Sequence, residues 1–328
     1  MRCFVTGATG QLGTALVRAL HDSGHSLTAL VLPDDPWADA AFEGIAVARV
    51  VGDIRQPSSF PDQTFDWIFH LVANQSFWRG DERRQRVLNV DGVRNIVNWA
   101  QCRSLSRFVH VSSLMAVGVA ENSDHHLNEE ASFNGDELGL MYAQSKWAGE
   151  QIVLDAAAQG FPAVIANPGI VLGPWDRDMH VARMLRRFVR GALRGTPSGG
   201  VNVVDTRDVA LGLISTAQLG QVGQRYLLTA HNLTYVQLAS IVCRIAGVQS
   251  PRLRYPGWIL RLIARALEPV GSVLQSPPVI APDDVTVGTR YLHFDNGKAC
   301  RELGFRVRDL GETVRDSIRW YQANQVWF

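Results

Sequence analysis

Short apolar runs alternate with amphipathic stretches along the first 230 residues of the chain. Six runs have the length and β-branched content of buried strands, and the segments between them space apolar residues three or four apart, as helices do. The predicted strands are 2–6, 26–32, 46–51, 67–72, 107–112 and 163–167, and the clearest predicted helices are 14–20, 81–103 and 142–159. This alternation is typical of an α/β fold with a doubly wound parallel (Rossmann) sheet.

The pattern changes after residue 174. Residues 201–226 predict a return to the sheet, with a short strand, a helix capped by Asp208 that extends to Leu219, and a strand at Tyr226-Leu227-Leu228. Residues 175–200 and 231–328 predict mainly helices. We therefore predict a doubly wound domain formed by 1–174 plus about 201–230, and a smaller, mostly helical substrate-binding lobe formed by about 175–200 plus 231–328.

One helix of the predicted lobe is amphipathic. Segment 258–267 has apolar residues on one side and charged residues on the other, namely Ile259, Leu262, Ile263, Ala266 and Leu267 against Arg261, Arg265 and Glu268. Packing within the lobe is the first interpretation of this pattern. The alternatives are a lid over an apolar substrate, or peripheral contact with a membrane surface.

Composition restricts the class of protein. The 328 residues are 46% hydrophobic and 19% charged, which suits a large buried core. A net charge of +1 gives no reason to expect nucleic acid or an anionic membrane as partner. Four cysteines without Cys-x-x-Cys spacing predict reduced thiols and no metal site. Without a signal peptide or an apolar run near the ~20 residues that span a bilayer, we expect a cytoplasmic protein.

A glycine-rich loop joins the first strand to the first helix. Its sequence is Gly7-Ala8-Thr9-Gly10-Gln11-Leu12-Gly13. Glycines at this spacing allow a tight turn and the close approach of a pyrophosphate, which would rest on the helix N-terminus. A plain strand-to-helix turn is the alternative, but the position at the start of an α/β chain favours dinucleotide binding.

The residues after the second and third strands bear on the cofactor. Val31-Leu32-Pro33-Asp34-Asp35 contains two acids and no basic residue. An acid suits a free ribose 2′-hydroxyl and an arginine suits a 2′-phosphate, so the sequence favours NAD over NADP. A basic residue such as Arg55 could still arrive from elsewhere. Asp53, just past the third strand, either accepts from the adenine amino group or is an ordinary turn residue.

Tyr142 and Lys146 lie four residues apart and therefore share one face of a helix. A cation next to a phenol lowers its pKa, and such a pair could exchange a proton with a substrate oxygen. A half-buried tyrosine with an unrelated lysine is the alternative. Ser112 and Ser113 follow the fifth strand, at the sheet edge where ligands bind in such folds.

Other polar residues have simpler interpretations. Asn89 precedes the buried stripe of helix 81–103, where we expect a structural hydrogen bond rather than contact with the active site. His110 lies within a strand and is expected to be a core residue. His125 and His126 are adjacent, so they do not share one face as metal ligands on a helix or strand would, and we assign them no role.

Taken together, these residues make the chain resemble the extended short-chain dehydrogenases/reductases (the NAD-dependent epimerase/dehydratase family). Within that family it is most similar to the dihydroflavonol-reductase-like and hopanoid-associated epimerase-like branch. The segments that match the family are 6–13, Asp53, 70–73, 89–93, Ser112-Ser113, 142–146 and 167–169. The segments that match the branch are 203–210, 225–228 and 298–304.

The resemblance implies a catalytic triad of Ser113, Tyr142 and Lys146. Tyr142 is then the general acid/base, Lys146 lowers its pKa and holds the nicotinamide ribose, and Ser113 hydrogen-bonds the reacting oxygen. Ser113 is preferred to Ser112 because the family's hydroxyl lies five residues before the glycine at position 118. The implied cofactor contacts are Gly7, Thr9, Gly10, Gln11, Leu12, Leu32, Asp53, Ile54, Leu71, Val72, Ala73, Ser112, Tyr142, Lys146, Pro168, Gly169 and Ile170.

The family contains both carbonyl reductases and nucleotide-sugar epimerases. Sugar enzymes usually hold the diphosphate with two arginines, and the corresponding positions here are Val201 and Val285, although Arg290 or Arg177 could substitute. The frequent asparagine of those enzymes is Ile170 here. We therefore predict an apolar pocket lined by Asn74, Ser113, Met115, Trp175 and Val201.

The predicted function is an NAD(P)H-dependent reductase of a fairly apolar small-molecule ketone, or the reverse alcohol dehydrogenase. The alternative is a nucleotide-sugar epimerase or dehydratase that recycles its NAD. A third interpretation is a dinucleotide-sensing regulator, which would be expected to lose the tyrosine or the lysine. Relatives often dimerise through the helices that correspond to 81–103 and 142–159.

Overall fold

The computed structural model describes residues 1–177, 182–191, 194–274, 278 and 280–324. The predicted lobe segments 175–200 and 231–328 therefore include positions that lie outside the described residues.

The described strands form one large sheet and two small ones. The large sheet has seven parallel strands in the order β10-β6-β5-β4-β1-β2-β3. Parallel pairing follows from the helical crossovers between successive strands. The strands are β1 (Arg2–Thr6), β2 (Ser26–Val31), β3 (Val47–Val51), β4 (Trp67–His70), β5 (Arg107–Val111), β6 (Ala163–Pro168), β7 (Ile170–Leu172), β8 (Gly195–Thr196), β9 (Gly200–Asp205), β10 (Arg225–Leu228), β11 (His231–Thr234) and β12 (Leu253–Arg254).

Helices cover both faces of the large sheet, and further helices lie in the predicted lobe. They are α1 (Gln11–Asp22), α2 (Ala38–Phe42), α3 (Glu82–Arg86), α4 (Gly92–Gln101), α5 (Met141–Ala158), α6 (Ala182–Val189), α7 (Thr206–Leu219), α8 (Tyr235–Ala246), α9 (Gly257–Leu274), α10 (Pro282–Gly288), α11 (Gly297–Leu303) and α12 (Leu310–Ala323). The single helix expected over 81–103 is divided by a π-helical turn at Val87–Asp91. The doubly wound parallel fold predicted from the sequence is confirmed.

The core consists of two apolar layers, one on each side of the large sheet. One layer packs α1 and α7 against residues such as Val5 and Phe69, and the other packs α4 and α5 against Phe4, Ile68 and Phe108. All four residues of β4 are buried because the strand is covered on both faces. These layers hold the carboxyl ends of the central strands in fixed positions.

Strand β9 does not join the large sheet. It pairs in parallel with β7, with Ile170 opposite Val203, and antiparallel with β11, with Leu233 opposite Val201. The predicted return of residue 201 to the large sheet is therefore wrong, and only β10 returns to it. A continuous buried strand has the same sequence pattern in either sheet, so its pairing partner is decided by tertiary packing.

Helix α7 is capped by Asp205, not by Asp208. The Asp205 carboxylate accepts a hydrogen bond of 2.8 Å from the backbone N–H of Arg207, as an N-cap residue does. Asp208 lies inside the first turn and accepts from the backbone N–H and Nε of Arg308, at 2.8 and 2.7 Å. Both acids precede an apolar run, so sequence position alone did not distinguish the cap from the ion-pair partner.

Helix α9 packs on α10 through a different face from the predicted one. Leu260 and Ala264 are buried with Val285, whereas Leu262 and Ile263 are exposed. Within the described part of the chain, no helix combines the length and the apolar character that crossing a bilayer requires.

The backbone around the loop after β1 leaves no room for a side chain at two of its glycines. Gly7 has φ of +73°, and a Cβ there would lie 3.0 Å from the backbone nitrogen of Val72. A Cβ on Gly13 would collide with the Gly7 carbonyl oxygen and lie 2.7 Å from the Ala8 Cα. A Cβ on Gly10 would meet only the Gly7 carbonyl oxygen, at an ordinary 3.5 Å. Packing within the protein therefore does not require a glycine at position 10. The missing side chain leaves open space above the loop.

We expect Gly13→Ala and Gly10→Ala to have different effects. Gly13→Ala should lower the free energy of unfolding by about 1–3 kcal/mol because the new methyl group displaces the loop. Gly10→Ala should change that free energy by less than about 1 kcal/mol, yet weaken binding of the predicted nicotinamide dinucleotide at least about tenfold, because its methyl group occupies the space above the loop. Urea denaturation and fluorescence titration with the reduced dinucleotide measure the two quantities. Equal destabilisation by both substitutions would contradict this account.

Candidate active site

The carboxyl ends of β1, β4, β5 and β6 meet at one edge of the large sheet. They bring together the glycine loop 7–13, segment 71–74, Ser112 with Ser113, and segment 167–169. In a doubly wound sheet this edge is where ligands bind, next to the point where the strand order reverses between β1 and β4. Most of the residues predicted for cofactor binding therefore lie together.

Helix α5 reaches this edge because Gly149 allows it to pack closely on the π-helical turn. A Cβ on Gly149 would collide with the carbonyl oxygen of Asn89. The Asn89 amide donates 2.9 Å hydrogen bonds to Ser145 Oγ and to the Asn74 carbonyl, and its Oδ1 accepts from the Asn74 N–H at 2.8 Å. Asn89 thus has the structural role expected from the sequence, and it holds α5 against segment 71–74.

Tyr142 lies in an apolar environment at the start of α5. Its side chain is 7% exposed, and the ring of Phe77 meets it edge-on, with centroids 5.5 Å apart. The side chain of Ser113 is close enough to influence the Tyr142 hydroxyl. Burial raises the pKa of Tyr142 to about 12, and the contact with Ser113 lowers it only in part. Desolvation is the largest influence on the pKa of Tyr142 in this structure. The lowering of that pKa by Lys146 stays a prediction.

Lys146 lies one turn further along the same buried face. Its Nζ donates a 2.9 Å hydrogen bond to the carbonyl oxygen of Val111, at the end of β5. Burial lowers the pKa of Lys146 to about 8, and the nearby carboxylate of Glu150 opposes that shift. The amino group is thus fixed at the end of β5, next to the residue that precedes Ser112 and Ser113.

Glu150 is a fully buried carboxylate that sequence reasoning missed. One of its oxygens accepts from Ser112 Oγ at 2.7 Å and from Asn167 Nδ2 at 3.1 Å, and the other lies 2.8 Å from Nη2 of Arg225. Burial raises its pKa, against the effect of Arg225. The sequence did contain one indication that Glu150 lies near the site. It follows Lys146 by four residues, on the helix face that also carries Tyr142.

The Glu150 contacts separate the roles of the two serines. Ser112 is buried and donates to Glu150. The carbonyl oxygen of Ser113 accepts from Asn167 Nδ2 at 2.9 Å, while its side chain accepts from the backbone N–H of Met115 at 3.2 Å and faces Tyr142. Ser113 is therefore the serine whose side chain lies on the Tyr142 side, and its contact with a reacting oxygen stays a prediction.

Two stacked histidines lie behind this site. His70 and His110 are opposite residues of β4 and β5, with ring centroids 5.6 Å apart, and both are buried. Burial, with a smaller contribution from Lys146, lowers both pKa values, that of His70 to about 3. They are therefore neutral at pH 7, and His110 is a core residue as the sequence predicts.

The acids predicted near the adenosine differ in their contacts. Asp35 accepts a 2.7 Å hydrogen bond from Thr9 Oγ1, which places its carboxylate beside the glycine loop. Asp53 is held by Arg55, whose Nε donates to it at 2.9 Å, and this contact lowers the pKa of Asp53. Leu32, just past β2, is exposed. Arg55 is thus directed at Asp53 rather than at the ribose position.

Segment 173–177 closes over the glycine loop, a contact that the sequence did not indicate. Gln11 Nε2 donates to the Gly173 carbonyl at 3.2 Å, and the guanidinium of Arg18 lies 5.8 Å from the Trp175 ring. Nη1 of Arg177 lies 3.5 Å from the carbonyl oxygen of Thr9, and its guanidinium lies over Trp37. Trp175 therefore packs at the glycine-loop side of the edge and is not part of the apolar cluster around Tyr142.

Some of the remaining predicted residues lie at the site and others do not. Met115 is buried in the cluster with Tyr142, and the Asn74 backbone is held by Asn89. Val201 is fully buried in the lobe core, so its side chain does not reach the surface of the site. The other predicted cofactor residues are half-buried or buried at or near the sheet edge, namely Leu12, Ile54, Leu71, Val72, Ala73, Pro168, Gly169 and Ile170.

These residues fit a nicotinamide dinucleotide. Gly10 leaves room for a pyrophosphate, and α1 begins there without a side-chain cap, so its first N–H groups are available to an anion. Asp35 offers an acceptor beside the loop for a ribose hydroxyl.

Comparison with known proteins agrees with this geometry. The model of the NAD dependent epimerase/dehydratase family matches residues 3–211. A Synechocystis protein that carries the name dihydroflavonol 4-reductase is 31% identical over 97% of this chain and 94% of its own length, and sterol demethylase protein B of Methylococcus capsulatus is 30% identical over 98% of both. The crystal structure of gox2253 has a TM-score of 0.85 at 26% identity and covers 98% of each chain. The chain therefore belongs to the NAD-dependent epimerase/dehydratase family, among the extended short-chain dehydrogenases/reductases, and is an NAD(P)-dependent oxidoreductase of that type.

Proposed function

We propose that this protein is a carbonyl reductase that uses NAD(P)H to reduce a fairly apolar small-molecule ketone. The observation that carries the proposal is the environment of Tyr142, a proton donor enclosed by apolar side chains. A phenol with a pKa of about 12 is protonated at neutral pH, which is the form that donates a proton to a carbonyl oxygen. The same chemistry in reverse would oxidise the alcohol.

The surroundings of Tyr142 favour an apolar substrate over a sugar diphosphate. Its cluster consists of apolar and aromatic side chains, including Leu114, Met115, Val117, Leu140, Val287, Leu292, Phe294, Phe77 and Tyr291. Val201 and Val285 stand where sugar enzymes usually place diphosphate-binding arginines, and both are buried among apolar residues. Arg177 lies at the glycine loop instead. The relatives' names, a reductase and a sterol demethylase component, support the same substrate class.

The residues of the triad would act as follows. Ser113 hydrogen-bonds the carbonyl oxygen and orients it toward the Tyr142 hydroxyl, which gives up its proton as the carbon is reduced. The ammonium of Lys146 stabilises the negative charge that develops on the tyrosine oxygen. The nicotinamide, when bound, supplies the hydride. The apolar cluster excludes water, which strengthens these electrostatic interactions.

The main experiment compares apolar ketones with nucleotide sugars as substrates and tests Tyr142→Phe. We expect NADH consumption with bicyclic or long-chain ketones, and loss of about 10³-fold in kcat in Tyr142→Phe, because the proton donor is removed. NADH affinity should change by less than about twofold, since the phenyl ring still fills the cluster. Tyr291→Phe is the matched control, because it removes a hydroxyl from the same cluster and should retain activity.

Two results would overturn the proposal. One is full ketone reduction by Tyr142→Phe. The other is conversion of a UDP-sugar to its epimer without net NADH consumption, with NAD released in near-stoichiometric amount when untreated protein is denatured. The second result would establish the alternative function, in which hydride is returned to the same substrate.

The pH dependence of ketone reduction should follow the protonation state of Lys146. Its pKa of about 8 means that the ammonium is present below pH 8 and lost above it. Tyr142 stays protonated over this range. We expect kcat to be constant between pH 6 and about 8 and then to fall up to tenfold per pH unit. In Lys146→Arg, any remaining activity should not decline up to pH 10, since guanidinium keeps its charge. A kcat that rises with pH in the wild type would contradict this assignment.

We further propose that NADH is preferred to NADPH, because the Asp35 carboxylate beside Thr9 favours a ribose hydroxyl and repels a 2′-phosphate. Asp35→Asn should raise kcat/KM for NADPH at least about tenfold relative to NADH. Arg177→Ala tests the opposite assignment, since Arg177 lies near the same loop. If wild type prefers NADPH and Arg177→Ala abolishes that preference, Arg177 rather than Asp35 determines cofactor choice.

A further inference from the structure

The outer face of α9 carries large apolar side chains in contact with solvent. Trp258 is 60% and Leu262 58% exposed, and Ile263 is also exposed. Leu253, in the neighbouring strand β12, is 56% exposed. The opposite face of α9 is already used, since Leu260 and Ala264 pack against α10. These four exposed residues are here called the α9 patch.

Four exposed arginines lie next to the residues of the α9 patch in the sequence. Arg261 and Arg265 are exposed on α9, and Arg252 and Arg254 flank Leu253. Residues 175–200 and 231–328 together hold 18 Arg and Lys against 10 Asp and Glu, a formal charge of +8, whereas the whole chain has +1. The near-neutral total therefore conceals a basic lobe and an acidic remainder.

The α9 patch lies on the outer side of the wall of the proposed active site. Helix α9 packs on α10, and Val287 of α10 belongs to the cluster that contains Tyr142. Asp283 of α10 pairs with Arg79, which follows Phe77 in the segment next to Tyr142. One helix therefore separates the patch from the side chains around the proposed reaction centre.

We propose that the α9 patch docks on the surface of an anionic phospholipid bilayer. The apolar side chains would enter the boundary between headgroups and acyl chains, where tryptophan is favoured. The four arginines would face lipid phosphates and anionic headgroups. This arrangement requires no membrane-spanning helix. It also fits the charge of the lobe, which the +1 of the whole chain does not reveal.

A bilayer fits the α9 patch better than a second copy of this chain. In a two-fold dimer the same patch meets itself, so the four arginines of one copy would approach the four of the other. Glu268 is the acid that α9 supplies to offset them. Like charges brought together in an interface are unfavourable, whereas an anionic surface is complementary to all four.

Docking in this way would supply the proposed reaction with its substrate, and this part of the inference depends on the proposed function. A fairly apolar ketone concentrates in the bilayer rather than in water. An enzyme whose substrate lobe lies on the membrane would receive that ketone at the α9–α10 side. The docking itself does not depend on catalysis and is tested without turnover.

The test is flotation of the full chain with vesicles of phosphatidylcholine alone or mixed with phosphatidylglycerol. We expect binding to the mixed vesicles, weakened by salt. Leu262→Glu and the double variant Arg261→Glu/Arg265→Glu should each reduce the bound fraction at least about tenfold. Leu211→Glu is the matched apolar control, since Leu211 of α7 is 54% exposed. Arg244→Glu/Arg306→Glu makes the same charge change elsewhere in the lobe. Both controls should bind as wild type does.

Three outcomes would overturn the proposal. They are absence of wild-type binding to either vesicle, equal losses in the control variants, and a wild-type dimer that Leu262→Glu converts to a monomer in light scattering without any vesicle binding. The last would show that a second copy covers the patch. Thermal unfolding checks that each variant is folded. Reduction of a water-soluble ketone should be unchanged in all variants, so failure of docking and failure of the proposed function are distinguishable.

Discussion

The buried carboxylate of Glu150 is the constraint on which the proposed active site depends. Its side chain is tolerated in the core because Ser112, Asn167 and Arg225, from three neighbouring strand ends, contact it together. Removal of one partner from a buried ion pair typically costs about 3–5 kcal/mol, so these contacts are not easily exchanged. Helix α5 is thereby held to β5, β6 and β10 one turn beyond Lys146. The positions of Ser113 and Tyr142 follow from that attachment, since both flank the same contacts.

Burial sets the chemistry of this region in two opposite ways. It raises the pKa of Tyr142 and lowers that of Lys146, because in each case the low-dielectric surroundings disfavour the charged form. The free site therefore holds a protonated phenol beside an ammonium that titrates near pH 8. The apolar side chains that cause these shifts also form the surroundings of a substrate. Proton donation and preference for an apolar ketone thus have a common origin in the proposed mechanism.

Charge is distributed unevenly over the fold, although its total is close to zero. The predicted lobe is basic, and exposed arginines lie next to the exposed apolar residues of α9 in the sequence. The glycine-loop side instead presents Asp35, with Arg177 reaching the loop from the following segment. Electrostatic arguments from the net charge alone would overlook both features. The fold exposes the apolar side chains next to these arginines to solvent, which supports the proposed membrane contact.

Local sequence features predict much of the fold and of the candidate site. The strand pattern, the glycine loop and the four-residue spacing of Tyr142 and Lys146 are local features, and they predicted the doubly wound sheet and the residues that gather at its edge. Only the tertiary structure decided that β9 joins a second sheet, that Asp205 rather than Asp208 caps α7, and that α9 exposes Leu262 while it buries Leu260. It also revealed Glu150, an acid that looks like a surface residue until its partners are known. The physical reason is that periodicity specifies an element and its faces, whereas long-range packing decides which face is covered and which buried charge is compensated.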